Sequence, residues 1–357
     1  MIERPRGVWV LPMTDVGVVT IGRNEGERLR VGLEALRRLG VPVVYVDSRS
    51  TDGSPELARS LGAEVVVLDE SRPIGVPRAR NEGFERLLGL QPGIRYVQFV
   101  DGDCELLEGW LERGRAVLEE RPEVGLVTGR RRERYPNRSI YNQLADLEWD
   151  MPIGEIAGSH GDFMIRVSAF RQVGGFDEAV LVSEDCDLCL RLRRLGWKLS
   201  RIDHEMTLHD LGILRFRQWW LRAVRTGYGY ADGAYLHGKS ADRYYVRETR
   251  SNVIMGFVIP AVALAMVPFS RGLSLLLFLV YPLIYWRTLR YARGRGWDPA
   301  ASRLFAGACV VAKSPLFIGQ MTYWFRLIRR QPRKIIEYKP AGSNAARADL
   351  NTGPAGD

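Results

Sequence analysis

The stretch Tyr96-Val97-Gln98-Phe99-Val100-Asp101-Gly102-Asp103 decides how this 357-residue chain is read. Five residues of strand character run into two carboxylates separated by one glycine. Side chains alternate along an extended chain, so Asp101 and Asp103 are expected to point the same way. Gly102 allows a sharp turn between them. Two carboxylates at the C-terminal end of a buried strand make a hard, oxygen-rich site. Such a site suits Mg²⁺ or Mn²⁺, which also takes substrate phosphate oxygens. An isolated Asp-Gly-Asp is more often a solvated turn, and the flanking chain has to decide between the two.

Upstream, short apolar runs alternate with helical patterns. Residues 16–20 and 41–46 are apolar and β-branched, and 63–68 reads as a third strand. Between the first two, Leu29, Leu33, Leu36 and Leu39 recur at helical spacing, and Gly40 ends the helix. A polar loop, Asp47 to Ser54, carries an N-cap signal ahead of Pro55. This alternation predicts a parallel sheet with helices on both faces. Ligands of such sheets sit beyond the carboxyl ends of the strands. Thr20, Asp47 and Asp101 are therefore expected to face one crevice. Asp47 either caps its loop or accepts hydrogen bonds from a nucleotide base or ribose. Arg78, Arg80 and Asn81, in Gly75-Val76-Pro77-Arg78-Ala79-Arg80-Asn81-Glu82-Gly83, stand at the start of a helix, where guanidiniums suit a nucleotide or diphosphate.

Downstream, Leu106, Trp110 and Val117 suggest a helix, and residues 124–128 a further strand. The run Arg130-Arg131-Arg132-Glu133-Arg134 reads as a solvated face. Gly158-Ser159-His160-Gly161-Asp162-Phe163, Gly174-Gly175-Phe176-Asp177 and Ser183-Glu184-Asp185-Cys186-Asp187 follow. Acids just before a helix are favoured by its dipole and by capping. Three in four positions (Glu184, Asp185 and Asp187) exceed what capping needs, so one of them is expected to do chemistry.

Composition narrows the partners. A formal net charge of +9 fits nucleic acid, an anionic membrane or a phosphorylated substrate. No nucleic-acid-binding motif is present, which removes the first. The four cysteines show no secreted disulfide pattern, so a reducing compartment is expected. Cys186 and Cys189 lie in a helical pattern with Leu188, Leu192 and Leu195 and read as core packing rather than a metal or redox pair. Arg4 and Arg6 precede only a short apolar run broken by Pro12, which does not read as a signal peptide.

Taken together and in order, the Val46-Asp47-Ser48 loop, Ala79-Arg80-Asn81, Asp101-Gly102-Asp103, Gly174-Gly175-Phe176-Asp177 and Glu184-Asp185-Cys186-Asp187-Leu188 resemble the family 2 inverting glycosyltransferases, of the membrane-associated bacterial type. The resemblance covers residues 16 to about 230. It implies a GT-A fold, an α/β domain with a Rossmann-like, mostly parallel sheet. It further implies that Asp47 binds the base of a nucleotide diphosphate sugar, with Thr20 and Arg80 lining the same pocket. By the same resemblance Asp101 contacts ribose or metal, Asp103 holds the divalent ion against the diphosphate, Asp185 is the general base, and His209 stands near the metal. Where the family usually has a glycine, this loop has Arg49. The chemistry agrees with such a set. An attacking hydroxyl must lose its proton to a base, and a leaving diphosphate must have its charge neutralised.

Residues 215–230 interleave basic and aromatic side chains on an expected helix. Arg222 and Arg225, with Glu184, are candidate acceptor or diphosphate contacts, or the helix lies on a membrane surface. From residue 253 the composition shifts. Residues 253–269 and 272–286 are uncharged and apolar, with only Ser270 and Arg271 between them. Each is somewhat short of the ~20 residues of a straight span, so a helical hairpin is expected. Arg287, Arg290, Arg293 and Arg295 crowd its exit, as cytoplasmic loops do. A third apolar run, 304–325, is interrupted by Lys313 and Pro315 and is expected to be interfacial or packed on the hairpin. The sequence thus divides into an N-terminal extension (1–14), a catalytic domain (15–240, with a nucleotide half to 130 and an acceptor half beyond), membrane-associated helices (250–335) and a disordered tail (336–357). The expected activity is metal-dependent transfer of a sugar to a lipid-linked or cell-surface glycan precursor, on the cytoplasmic side of a membrane. Two other readings stay open: transfer to polyprenyl phosphate itself, or non-catalytic binding of a sugar nucleotide.

Overall fold

The computed structural model describes residues 2–3, 9–10, 13–159, 161–331 and 336. Most of the expected tail and of the N-terminal run lies outside the described residues. Ile2–Glu3 (β1) and Trp9–Val10 (β2) pair as a small antiparallel ribbon. The alternation read from the sequence then appears as β3 (Val16–Gly22), α1 (Glu27–Leu39), β4 (Val43–Asp47), α2 (Ser54–Ser60), β5 (Glu64–Val67), α3 (Val76–Leu90) and β6 (Tyr96–Asp101). These four strands are parallel, in the order β5-β4-β3-β6. Val16, Val18, Val19, Val44 and Val46 are fully buried, as strands covered by helices on both faces require.

Beyond β6 the sheet becomes mixed. The chain continues through β7 (Cys104–Leu106), α4 (Trp110–Glu120), β8 (Val124–Glu133), α5 (Ile140–Glu148), β9 (Gly154–Glu155), β10 (Phe163–Arg166), α6 (Val167–Gln172), α7 (Glu184–Arg194) and β11 (Lys198–His209). Strand β10 inserts antiparallel between β6 and β8, β8 runs parallel to β11, and β7 and β9 pair antiparallel with β11. Leu106, expected in a helix, is instead in β7. Strand β8 extends five residues past the expected end at Thr128 and takes in most of the arginine run. Two apolar layers sandwich the sheet. One, with α3, α6 and α7, contains Val19, Val46, Phe84, Phe99, Phe170 and Leu188. The other, with α1 and α4, contains Val18, Leu33, Tyr45, Val100 and Trp110.

The C-terminal third is helical: α8 (Phe216–His237), α9 (Val246–Val253), α10 (Ile259–Ala265), α11 (Val267–Ser270), α12 (Val280–Gly294), α13 (Pro299–Val311) and α14 (Lys313–Ile328). Between α9 and α10, residues Ile254–Val258 form a π turn in which the Ile259 N–H reaches back to Ile254. Pro260 follows at once, and the wider turn accommodates its missing N–H. The expected hairpin is present. Arg271 and Gly272, both at positive φ, turn the chain into a 3₁₀ segment, Leu273–Leu279, that continues into α12. Phe269, Leu273 and Leu279 are 80%, 70% and 62% exposed, an apolar surface that no described residue covers. Two stretches, Leu273–Gly294 and Pro299–Ile328, are long and apolar enough to cross a membrane. The second contains the run expected to pack on the hairpin. It does touch the π turn, but its main partner is α8. A Cβ on Gly227 of α8 would collide with the Leu316 carbonyl, and one on Gly319 of α14 with the Val224 carbonyl, so the two backbones meet directly. Helix α13 packs on α5 through Leu304, Phe305 and Ala308, which adjoin Leu144 and Trp219. The helices beyond residue 240 therefore pack directly on the domain before it.

Candidate active site

The carboxyl end of β6 is the centre of the site, but its two carboxylates part company. Residues 102 and 103 form a turn, so strand alternation stops at Asp101. Asp101 shares its face with Val97 and Phe99, towards α3 and α7. Its Oδ1 accepts from Arg80 Nη2 at 2.9 Å and its Oδ2 from Arg131 Nη2 at 3.2 Å. Burial works against the charged form, yet the two guanidiniums prevail and hold Asp101 below the usual carboxylate range. Asp103 turns instead towards β11, where its Oδ2 lies 3.0 Å from His209 Nε2.

Arg80, 2% exposed, bridges the two acidic clusters. Its Nη1 donates to Glu184 Oε1 at 3.1 Å. Burial and the neighbouring Asp185 push Glu184 up to about 7 against the pull of Arg80. Asp185 follows at the start of α7. Its Oδ2 accepts from the Gly161 N–H at 2.6 Å and its Oδ1 from the Cys186 N–H at 2.8 Å. Arg225 contributes positive potential at Glu184, whereas Arg222 pairs with Glu148 on α5.

Of the residues expected at the donor, Arg78, Asn81 and Asp47 hold groups of the protein itself, and Thr20 lies within a strand. Arg78 donates to Glu82, to Asp69 and to the Arg72 carbonyl, and so ties a loop to α3. Asn81 exchanges two hydrogen bonds with the Phe176 backbone, each at 2.9 Å, and fixes the Gly174–Asp177 turn. Thr20 is not a strand end, because β3 runs on to Gly22. It is 2% exposed and shares the face of Val18. Asp47 is at its strand end but fully buried, and it accepts from Tyr45 Oη, the Ser50 N–H and Ser50 Oγ. Of its two readings, loop capping is the contact present. The Thr51 N–H donates to Asn24 Oδ1, the Asn24 N–H to Ser50 Oγ, and the Gly26 N–H to Asp52 Oδ2. The loops after β3 and β4 thus form one wall.

Sequence reading missed the residue at the middle of the cluster. Arg131 was expected on a solvated face but is 8% exposed. Its Nη2 lies 3.4 Å from Cys104 Sγ and 3.2 Å from His209 Nδ1, and its Nε 3.6 Å from Asp162 Oδ2. The guanidinium also stacks 4.9 Å over Trp149. The signal was available. In a strand, residues 127, 129, 131 and 133 share a face, and burial alternates through Arg130, Arg131, Arg132 and Glu133. Asp162, quoted in its motif but given no role, is fully buried and accepts from the Asp101 N–H and Thr207 Oγ1. Burial raises it, and Arg131 offsets this only in part. Glu133, pushed up to about 7 by burial, accepts from Asn142 Nδ2 and the Leu211 and Tyr135 N–H groups, anchoring the chain just past His209. His160 lies outside the described residues. Cys186 and Cys189 are buried and hold the Ser159 backbone, in keeping with packing rather than redox chemistry.

Two groups of side chains here fit a divalent metal. Ligand atoms of Asp103, Cys104 and His209 lie within 4.8 Å of one another, as do those of Asp101, Cys104 and Asp162. Asp103 and His209 converge as carboxylate and imidazole, a pair suited to Mn²⁺-like ions. Asp101, with both oxygens on guanidiniums, belongs to the second group, which shares Cys104 with the first.

A mostly parallel sheet with acids at the end of one strand, facing further acids at the start of a helix, defines an enzyme of the GT-A glycosyltransferase class. The chain belongs to glycosyl transferase family 2. The "Glycosyl transferase family group 2" model matches residues 96–324, and the "Glycosyl transferase family 2" model residues 17–174. Over 200 residues the chain is 28% identical to glycosyltransferase AglE of Haloferax volcanii, a match covering 52% of this chain and 63% of the relative. Over 195 residues it is 29% identical to the succinoglycan biosynthesis protein ExoA of Rhizobium meliloti, covering 50% and 58%. The chain thus spans less than two thirds of the length of either. Among solved structures, the mannosyltransferase PcManGT of Pyrobaculum calidifontis, in complex with GDP-Man and Mn²⁺, superposes with a TM-score of 0.54 at 18% identity, covering 90% of this chain and 91% of that one. This likeness establishes the fold.

Proposed function

We propose that this glycosyltransferase moves a sugar, with inversion, from a nucleotide diphosphate sugar to a hydroxyl of a lipid-linked or cell-surface glycan precursor. The observation that carries the reading is the pairing of Asp103 with His209 on one side of the Arg80 bridge and Asp185 on the other. Asp103 and His209 would hold Mg²⁺ or Mn²⁺. When bound, such an ion neutralises charge on the leaving diphosphate. Two amides orient Asp185 and leave it lone pairs for the acceptor proton, the task of a general base. Arg80 keeps Asp101 and Glu184 at fixed separation, which preserves the spacing between donor and acceptor sides. The GDP-Man and Mn²⁺ complex of the structural neighbour supports the donor class, and the succinoglycan relative supports a glycan acceptor. The exposed apolar hairpin and Leu273–Gly294 support residence in a membrane, with the arginine-rich end of α12 and the crevice on the cytoplasmic side.

The test is a screen of nucleotide sugars with Mn²⁺, reading acceptor-dependent release of nucleoside diphosphate and the anomeric configuration of the product by NMR. Lipid phosphate and lipid-linked saccharide as parallel acceptors separate this reading from direct transfer to polyprenyl phosphate. A retained anomeric configuration would refute the inverting mechanism.

A further inference from the structure

Arginine can only donate hydrogen bonds. Arg131 Nη2, 3.2 Å from His209 Nδ1, therefore requires a lone pair on that nitrogen. A neutral imidazole then carries its proton on Nε2, which donates to Asp103 Oδ2 at 3.0 Å. A metal ion beside Asp103 needs the opposite tautomer. Held through Nε2, it would take that lone pair and leave the proton on Nδ1, pointing at a guanidinium N–H. Two donors cannot stay at 3.2 Å. The charges point the same way. Arg131 is the cation among Asp101, Asp162 and His209, where a divalent ion would compete with it. The guanidinium closes against Gly161, where a Cβ would meet Arg131 Nη1, the mobile end of a long side chain.

We infer that Arg131 and a divalent cation exclude each other at His209: without metal the guanidinium latches the imidazole, and metal loading expels it. The inference rests on the metal reading given under Proposed function. It makes Arg131 a positioning residue that sets the threshold for metal binding, rather than a ligand of metal or sugar. Because the Gly161 N–H also holds Asp185, the latch adjoins both halves of the site.

The experiment is a Mn²⁺ titration of the full chain in detergent micelles, without nucleotide, read by the EPR signal of free Mn²⁺. Arg131→Met keeps the length of the side chain and removes its charge and donors. It should bind Mn²⁺ on the order of tenfold more tightly than the parent, the size of effect typical of groups that support metal ligands, but with the opposite sign. Arg131→Lys should fall between the two. A merely structural arginine would give weaker binding on removal. Unchanged or weakened binding, with Mn²⁺ still bound by the parent, overturns the latch and spares the metal reading. Failure of both proteins to bind overturns both. Should Arg131→Met not fold, ¹⁵N-histidine NMR of the parent decides. His209 should carry its proton on Nε2 without metal and on Nδ1 with bound Zn²⁺. An Nε2 proton that persists in the Zn²⁺-bound protein overturns the inference.

Discussion

Asp103, Asp185 and Glu133 each make a prediction that depends on a single functional group. Asp103→Asn removes the charge that would hold a hard cation, so Mn²⁺ binding should fall below detection in the same EPR titration, with loss of transfer. Wild-type transfer by this variant would contradict the metal assignment. Asp185→Asn keeps the amide contacts of one oxygen but cannot take a proton. Turnover should drop roughly 10²- to 10⁴-fold, with donor affinity near normal. Loss of donor affinity instead would move Asp185 to the donor side. Glu133 speaks through pH. Its folded value, about 7, lies above that of an unfolded glutamate, so the folded state holds the extra proton in between. Its contribution to stability is complete below about pH 4.5 and lost as pH rises through about 7. Glu133→Gln mimics the protonated form, and its melting temperature should fall less between pH 5 and 8 than that of the parent. An equal fall would show that this carboxyl does not titrate there.

At the scale of elements, the sequence announced β3, β4, β6 and α1 clearly, because buried parallel strands and an amphipathic helix carry period and composition in a few neighbouring residues. It announced less well whatever depends on partners far along the chain. Strand β10 slots antiparallel between β6 and β8, a choice that no local pattern in Phe163–Arg166 encodes. The side chains of Asp47, Arg78 and Asn81, which their motifs mark, hold loops in the structure, because a motif marks a fixed geometry without saying which member touches ligand. Arg131 was misjudged by counting charges instead of following the strand period through them. The crossing of α8 and α14 was equally hidden, since Gly227 and Gly319 lie 92 residues apart. It makes a clean comparison. Gly319→Val should destabilise the protein by ~1–3 kcal/mol through overpacking. Gly307→Ala, on α13 with open space around its Cβ position, should be neutral or slightly stabilising. Thermal unfolding measures both, and equal melting temperatures would show that the crossing is loose.

For the whole molecule, the membrane reading predicts that full-length protein sediments with membranes and resists a carbonate wash. Full recovery in the soluble fraction would refute it and leave the family assignment intact. Truncation near Arg250 would be a poor complementary test. It would uncover Trp219, Val224 and Tyr228, whose partners lie on α13 and α14, and the product should aggregate. The same crossing has a consequence for reach. An enzyme on a slack tether sweeps a broad volume and meets substrates at many heights. Here backbone rests on backbone between α8 and α14, with no hinge at that contact. On the membrane reading proposed above, the crevice would thereby be held at one altitude over the surface that receives the apolar helices, and the crossing would act as a ruler, selecting acceptors by how far their hydroxyl stands from that surface before any side chain recognises the sugar.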